Sequence, residues 1–149
     1  FFLTGGTAYV EGIGEKITPI ADFSGKILVI AKGKEGVSTA EAYNAVDSLV
    51  NPSHPDVQGL VNAITEGSDT CRYIGNLFES AIKLDEVEDI KKKMVAHGAN
   101  AACMTGSGSA VFGIFDTAEK AGKCVDSLKS AGYFAEVCET VRDSFIVIE

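Results

Sequence analysis

The period of hydrophobic positions changes several times along the chain. Over residues 1 to 25 short alternating stretches, Ala8-Tyr9-Val10 and Lys16-Ile17-Thr18-Pro19-Ile20, lie among glycines 5, 6, 12, 14 and 25. Glycine supplies turns and no helical stripe forms, so this segment predicts a hairpin or two edge strands. Lys26 to Ala31 is a continuous apolar run and reads as a buried strand. After the turn Gly33-Lys34-Glu35-Gly36, Ser38-Thr39-Ala40-Glu41 fits a capping box, in which the Ser38 hydroxyl and the Glu41 carboxylate satisfy each other's backbone amides. A helix is predicted from about Thr39, with Tyr43, Val46 and Val50 at helical spacing.

From Asn51 to Gly98 the pattern is helical throughout. Pro55 suits a first turn, Val57, Leu60, Val61 and Ile64 form one stripe, and Ile74, Leu77, Phe78 and Ala81 repeat it. A third helix opens on Asp85, Glu86, Glu88 and Asp89 and closes on Lys91 to Lys93 and His97 before Gly98, the charge order a helix dipole favours; these charges read as a solvated face. The period then returns to two, with strands at Ala101 to Met104 and Val111 to Phe115 around Thr105-Gly106-Ser107-Gly108-Ser109. A helix over Thr117 to Ser130 ends at Gly132, and strands follow at Tyr133 to Thr140 and Ser144 to Ile148. From Lys26 onward the order is β, helices, β, β, α, β with an extra terminal strand. The expected fold is α+β, a ferredoxin-like split βαβ sandwich carrying an N-terminal hairpin.

Composition narrows the function classes. Among 149 residues, 21 acidic and 13 basic side chains give a net charge of −8, and 46% are hydrophobic, enough for one domain with its own core. The acidic balance, with no basic cluster beyond Lys91-Lys92-Lys93, gives little basis for gripping nucleic acid. Apolar runs fall far short of the roughly 20 residues a membrane span needs, and no basic-then-apolar leader is visible. Cys71, Cys103, Cys124 and Cys138 are widely spaced, with no C-x-x-C, so reduced and mostly buried thiols are expected rather than a zinc or redox site. A cytoplasmic protein is the expectation. The chain starts Phe1-Phe2-Leu3 and reads as cut from inside something longer.

The sharpest candidate for chemistry is Thr105-Gly106-Ser107-Gly108-Ser109. Glycines let the backbone turn and bring N–H groups to phosphate oxygens, and hydroxyls add donors; the alternative is an ordinary hairpin loop. It is neither a Walker A nor a Rossmann fingerprint, because a strand follows it. Gly5-Gly6-Thr7 and Gly12-Ile13-Gly14-Glu15 mark either turns or close approach of a ligand. Thr39 and Tyr43, four apart, share one helix face, where a hydroxyl beside a ring can hold a base by stacking or Tyr43 can serve the core. His54 and His97 suggest no catalytic pair, no metal-ligand spacing is visible, and no general base can be named from these residues.

Taken in order, Gly5-Gly6-Thr7-Ala8, Gly12-Ile13-Gly14-Glu15, Gly36-Val37-Ser38-Thr39-Ala40-Glu41-Ala42-Tyr43, His54-Pro55-Asp56-Val57, Gly75-Asn76-Leu77-Phe78-Glu79 and Met104 through Gly113 closely resemble the C-terminal half of a GHMP kinase. The last of these is shared across that superfamily; the Gly36 to Tyr43 stretch points to its branch acting on a cytidyl-methylerythritol substrate. The resemblance implies transfer of the ATP γ-phosphoryl group to the substrate's 2-hydroxyl, in the non-mevalonate route to isoprenoids, with Mg2+ held by the nucleotide. It implies that Thr105 to Ser109 support the ATP phosphates, that Tyr43 stacks on cytosine with Thr39 a polar neighbour and Ile13 an apolar one, and that Gly5 and Gly6 line the substrate side.

It further implies that residues 26–149 are the kinase C-terminal domain, residues 1–25 a hairpin left over from or bridging to an N-terminal half, and the catalytic Asp a residue preceding Phe1. No catalytic residue is then expected in this chain, which would be inactive alone, its partners being ATP, the cytidyl-methylerythritol and the absent half. The competing readings are a stand-alone ferredoxin-like small-molecule-binding or regulatory module, and a pure interaction or dimerisation domain.

Overall fold

In the computed structural model, which describes residues 5–143, the N-terminal segment forms the expected hairpin. Strands β1 (Ala8–Glu11) and β2 (Lys16–Pro19) pair antiparallel, with Ala8 opposite Pro19 and Glu11 opposite Lys16. They make a two-stranded sheet of their own.

A second sheet has four strands, β3 (Ile27–Lys32), β4 (Ala101–Met104), β5 (Val111–Phe115) and β6 (Phe134–Glu139). They are arranged β4-β5-β3-β6 with every neighbouring pair antiparallel. β3 and β4 therefore run parallel with β5 inserted between them, which is the split βαβ the element order predicts. The expected strand at Ser144 to Ile148 lies outside the described residues, as do Phe1 to Thr4.

Helices α4 (Asp85–Ala96) and α5 (Ala118–Ser130) lie on one face of this sheet. Val29 and Ala31 of β3, Ile90 and Met94 of α4, and Cys124 and Leu128 of α5 meet there fully buried. The Lys26 to Ala31 run is thus buried on one face only: Val29 is 0% exposed but Ile30 is 38% exposed. An antiparallel sheet tolerates this because helices need cover only one side of it.

The long helical stretch predicted between Asn51 and Gly98 resolves into shorter pieces. Helix α1 (Thr39–Asp47) begins as predicted, with both halves of the Ser38–Glu41 capping box formed, but it stops before Val50, which is 89% exposed. α2 (Val57–Glu66) is capped by Asp56, whose carboxylate accepts from the Gly59 amide at 2.8 Å. Pro55 therefore precedes the cap instead of occupying the first turn. Beyond α2 a 3₁₀ turn (Cys71–Tyr73) and the four-residue helix α3 (Phe78–Ala81) replace the second predicted helix. Asn76 Oδ1 accepts from the Phe78 amide at 3.0 Å, so a side chain starts α3 where a continuous helix would have used a carbonyl.

The charges on α4 are not simply solvated. Its N-cap, Leu84, has no capping side chain. Glu35 supplies the function from the β3–α1 connection: its carboxylate accepts from the Glu86 amide at 3.1 Å, and the Glu86 carboxylate accepts from the Glu35 amide at 2.6 Å. All four cysteines are free; Cys103 and Cys124 are buried, whereas Cys71 and Cys138 are half-buried. Among the described residues no helix is long and apolar enough to cross a membrane.

Candidate functional site

The glycine loop joins β4 to β5 and is fixed from several sides. The Thr105 amide donates to the Ala110 carbonyl at 2.8 Å and the Gly108 amide to the Thr105 carbonyl at 3.1 Å. Gly106 and Gly108 take φ of +56° and +93°, a region L side chains seldom enter. Ser109, 3% exposed, donates its hydroxyl to the Glu35 carbonyl, tying the loop to the segment that leads into α1. Its hydroxyl is committed inward, so the loop's outward polar groups come from Thr105, Gly106 and Ser107. Among the described residues the Gly106, Ser107 and Ser109 amides have no hydrogen-bond partner; Gly106 and Ser107 are the less buried of the three, which leaves two donors for an anion.

The first turn of α1 meets this loop: Thr39 Oγ1 lies 3.4 Å from Ser107 Oγ. One turn further along the same face, Tyr43 stands perpendicular to Phe78 of α3, with ring centroids 5.1 Å apart. Tyr43 is 57% exposed, so the core-packing alternative is set aside; the ring is steadied by one aromatic neighbour and otherwise open. A flat aromatic surface, a hydroxyl and a glycine loop thus succeed one another along one edge of the molecule.

Two residues of this arrangement received no role from the sequence. Asn76 donates both hydrogens of its amide, to the Met104 carbonyl at 2.7 Å and the Gly106 carbonyl at 2.8 Å. Glu79 accepts from the Met104 amide at 2.6 Å and pairs with Lys91 of α4 at 2.9 Å. Burial works against the Lys91 charge, but the hydrogen bond and charge of Glu79 outweigh it and hold the ammonium above its ordinary pKa. Burial, reinforced by the Glu79 charge, pushes the Cys103 thiol up to about 12, so this cysteine stays neutral beside the loop. The available signal was two polar residues three apart, Asn76 and Glu79, inside an otherwise apolar stretch.

Ile13, Gly5 and Gly6 belong to the hairpin segment but are not brought together: Ile13 lies in the turn between β1 and β2, Gly5 and Gly6 ahead of β1. Ile13 is fully exposed at the hairpin tip, and the Gly6 amide donates to the Arg142 carbonyl at 2.6 Å. Among the described residues no hydrogen bond or ring contact joins these three to α1. Between the hairpin and α2 lies a cavity of about 670 Å³ lined by Tyr9, Val10, Ile20, Leu60, Val61 and Ile64 among others.

A model of the GHMP kinase C-terminal family matches residues 45–133, more than half of the chain, and the chain belongs to that family. The matched stretch contains the glycine loop, Asn76 and Glu79 and begins just after Tyr43. Among curated relatives, the 4-diphosphocytidyl-2-C-methyl-D-erythritol kinase of Clostridium novyi (strain NT) is 42% identical over 136 residues, covering 87% of this chain and 48% of its own length. The enzyme of the same name from Clostridium tetani (strain Massachusetts / E88) is 36% identical over 135 residues, with the same coverage. This chain spans about half the length of the curated relatives it matches.

Among solved structures, a 4-(cytidine 5'-diphospho)-2C-methyl-D-erythritol kinase superposes with a TM-score of 0.74 at 27% identity, over 92% of this chain and 51% of that one. A homoserine kinase from Cytophaga hutchinsonii ATCC 33406 shares the fold, with a TM-score of 0.75 at 18% identity over 95% of this chain and 50% of that one.

Proposed function

We propose that the chain is the C-terminal part of an ATP-dependent kinase that phosphorylates the 2-hydroxyl of 4-diphosphocytidyl-2-C-methyl-D-erythritol in the non-mevalonate route to isoprenoids. The observation that carries this reading is the 3.4 Å approach of Thr39 to Ser107, which puts a base-stacking surface and an anion-binding loop side by side. The relatives' shared name supports the choice of substrate. Tyr43 stacks on the cytosine, Thr39 makes a polar contact beside it, and Thr105 to Gly108 face the ATP phosphates while Ser109 anchors the loop. The loop's donors suit a phosphate that arrives with Mg2+ bound to the nucleotide. In phosphoryl transfer the protein mainly positions groups and stabilises charge, and such a loop performs that task.

On this reading residues 26–149 are the kinase C-terminal domain, and residues 1–25 belong to the boundary with an N-terminal half that supplies the catalytic Asp and the main phosphate loop. The separate two-stranded sheet and the fully exposed Ile13 support that assignment. Ile13, Gly5 and Gly6 then approach the substrate from the hairpin. The chain by itself is inactive.

Titration of CDP and of ADP into the wild type and Tyr43→Ala tests the base assignment, with CDP binding weakened in the variant and ADP binding unchanged. Phosphorylation assays of the chain alone, and of the chain joined to the N-terminal half of the Clostridium novyi kinase, test the rest. Turnover by the joined protein only is expected. Turnover by the 149-residue chain alone would overturn the claim of inactivity, and CDP binding indifferent to Tyr43 would favour a stand-alone binding module.

A further inference from the structure

We propose that Asn76 is the positioning residue that holds the glycine loop in register with the aromatic platform, so that one side chain couples the base end of the site to its phosphate end. The proposal rests on the reading of Thr105 to Ser109 as a phosphate loop. Asn76 uses both of its N–H donors and its carbonyl oxygen at the junction. Its two N–H groups reach the carbonyls of Met104 and Gly106, at the end of β4 and inside the loop. Its Oδ1 takes the Phe78 amide at 3.0 Å, and Phe78 is the residue against which Tyr43 stands. The position of the Gly106 carbonyl fixes the peptide plane whose N–H belongs to Ser107, one of the two amides left for an anion. Rotation of that plane would turn the donor away. Gly106 itself cannot resist such rotation, because nothing lies within 4 Å of where a Cβ would sit and its φ is positive. The restraint must come from outside the loop, and Asn76 supplies it.

Asn76→Asp separates the two ends. The carboxylate keeps an acceptor for the Phe78 amide but replaces the donors facing two carbonyls with a negative charge; Asn76→Ala removes all three bonds. Amide hydrogen exchange in the 149-residue chain gives the direct readout. Thr105 and Gly108, whose amides are bonded inside the loop, should exchange about tenfold faster in Asn76→Asp, while Ile90 and Leu128 in the helical core keep their wild-type rates. ATP affinity should fall in both variants, whereas CDP affinity should fall only in Asn76→Ala.

Unchanged exchange at Thr105 and Gly108 would overturn the proposal. So would an equal rise at Ile90 and Leu128, or a variant that fails to fold, since either would make Asn76 a residue of general stability. Equal loss of CDP affinity in the two variants would also count against it, because the coupling would not divide at the side chain. If the wild type bound neither nucleotide, the exchange comparison would still decide the role of Asn76, and the failure would fall on the proposed function.

Discussion

Tyr43 and Phe78 stand at 88° to one another with their ring centroids 5.1 Å apart. This geometry favours contact between the positive edge of one ring and the negative face of the other. Because Phe78 also packs against the core, it fixes the orientation of Tyr43 while Tyr43 stays open to a ligand. Stacking of a base on an aromatic ring contributes about 1 to 3 kcal/mol. Tyr43→Ala should therefore weaken CDP binding about 5- to 150-fold by calorimetry with little change in melting temperature. Phe78→Leu should weaken it less but lower the melting temperature more. The reverse ranking would move the base to another surface.

Ser109 offers a test of the loop's anchor. Its hydroxyl is buried and donates to the Glu35 carbonyl, so Ser109→Ala leaves that acceptor without its partner. A loss of about 1 to 3 kcal/mol in urea unfolding is expected. A loss below about 0.5 kcal/mol would mean that the carbonyl finds a replacement donor.

Gly106 and Gly108 should respond differently to alanine. Both have positive φ, but a Cβ on Gly106 would meet open space whereas one on Gly108 would lie 2.6 Å from Met104 Sδ. Gly106→Ala should cost about 1 kcal/mol of backbone strain. Gly108→Ala should cost more, by about 1 to 3 kcal/mol for the added crowding. Paired denaturation curves measure the difference directly.

The Tyr133 hydroxyl donates to Asp89 at 2.7 Å, and Lys93 pairs with the same carboxylate at 2.7 Å. The bond from Lys93, then that from Tyr133, hold the Asp89 carboxyl below its ordinary value, while the bond to Asp89 pushes the Tyr133 phenol up to about 12. A depressed carboxyl pKa contributes stability that is complete above the unfolded value, about 4, and is lost as pH falls through the folded one. A raised phenol pKa contributes stability that is complete below about 10 and is lost as pH rises toward the folded value. Asp89→Asn should flatten both limbs of the stability–pH profile; a variant that leaves both unchanged would show the pair to be energetically idle.

Burial raises the Cys103 thiol to about 12 and the Cys124 thiol to about 11. At pH 8 an aromatic disulfide reagent should modify half-buried Cys71 and Cys138 first and reach Cys103 and Cys124 only after unfolding. Fast modification of Cys103 would show that the floor of the glycine loop opens.

Local chemistry made the hairpin, the Ser38–Glu41 capping box, α4, α5 and the split βαβ order legible, because each depends on residues close in sequence. Between Asn51 and Ala81 the α2 stripe was legible, but the spacing of Ile74, Leu77, Phe78 and Ala81 suggests a full helix where it serves an irregular path. Asn76 and Asp56, which shape that path, act through side-chain bonds that spacing does not reveal. The glycine loop was visible, and so was the Thr39–Tyr43 face. Their meeting was not, because Thr39 and Ser107 stand 68 residues apart and touch only once β4 and β5 are folded back. The Glu35–Glu86 and Asn76–Met104 bonds were hidden for the same reason.

Among the described residues β4 is the outermost strand of its sheet, and an outermost strand offers unpaired amides and carbonyls to any chain that arrives. At Met104 both positions are already taken: Glu79 accepts from its N–H and Asn76 donates to its C=O. Two side chains three residues apart mimic one rung of a neighbouring strand and then end, with a paired Lys91 charge beside them. The sheet therefore has a stopper at this rim, and the contacts that steady the loop also deny another polypeptide a template on which to zip up and aggregate.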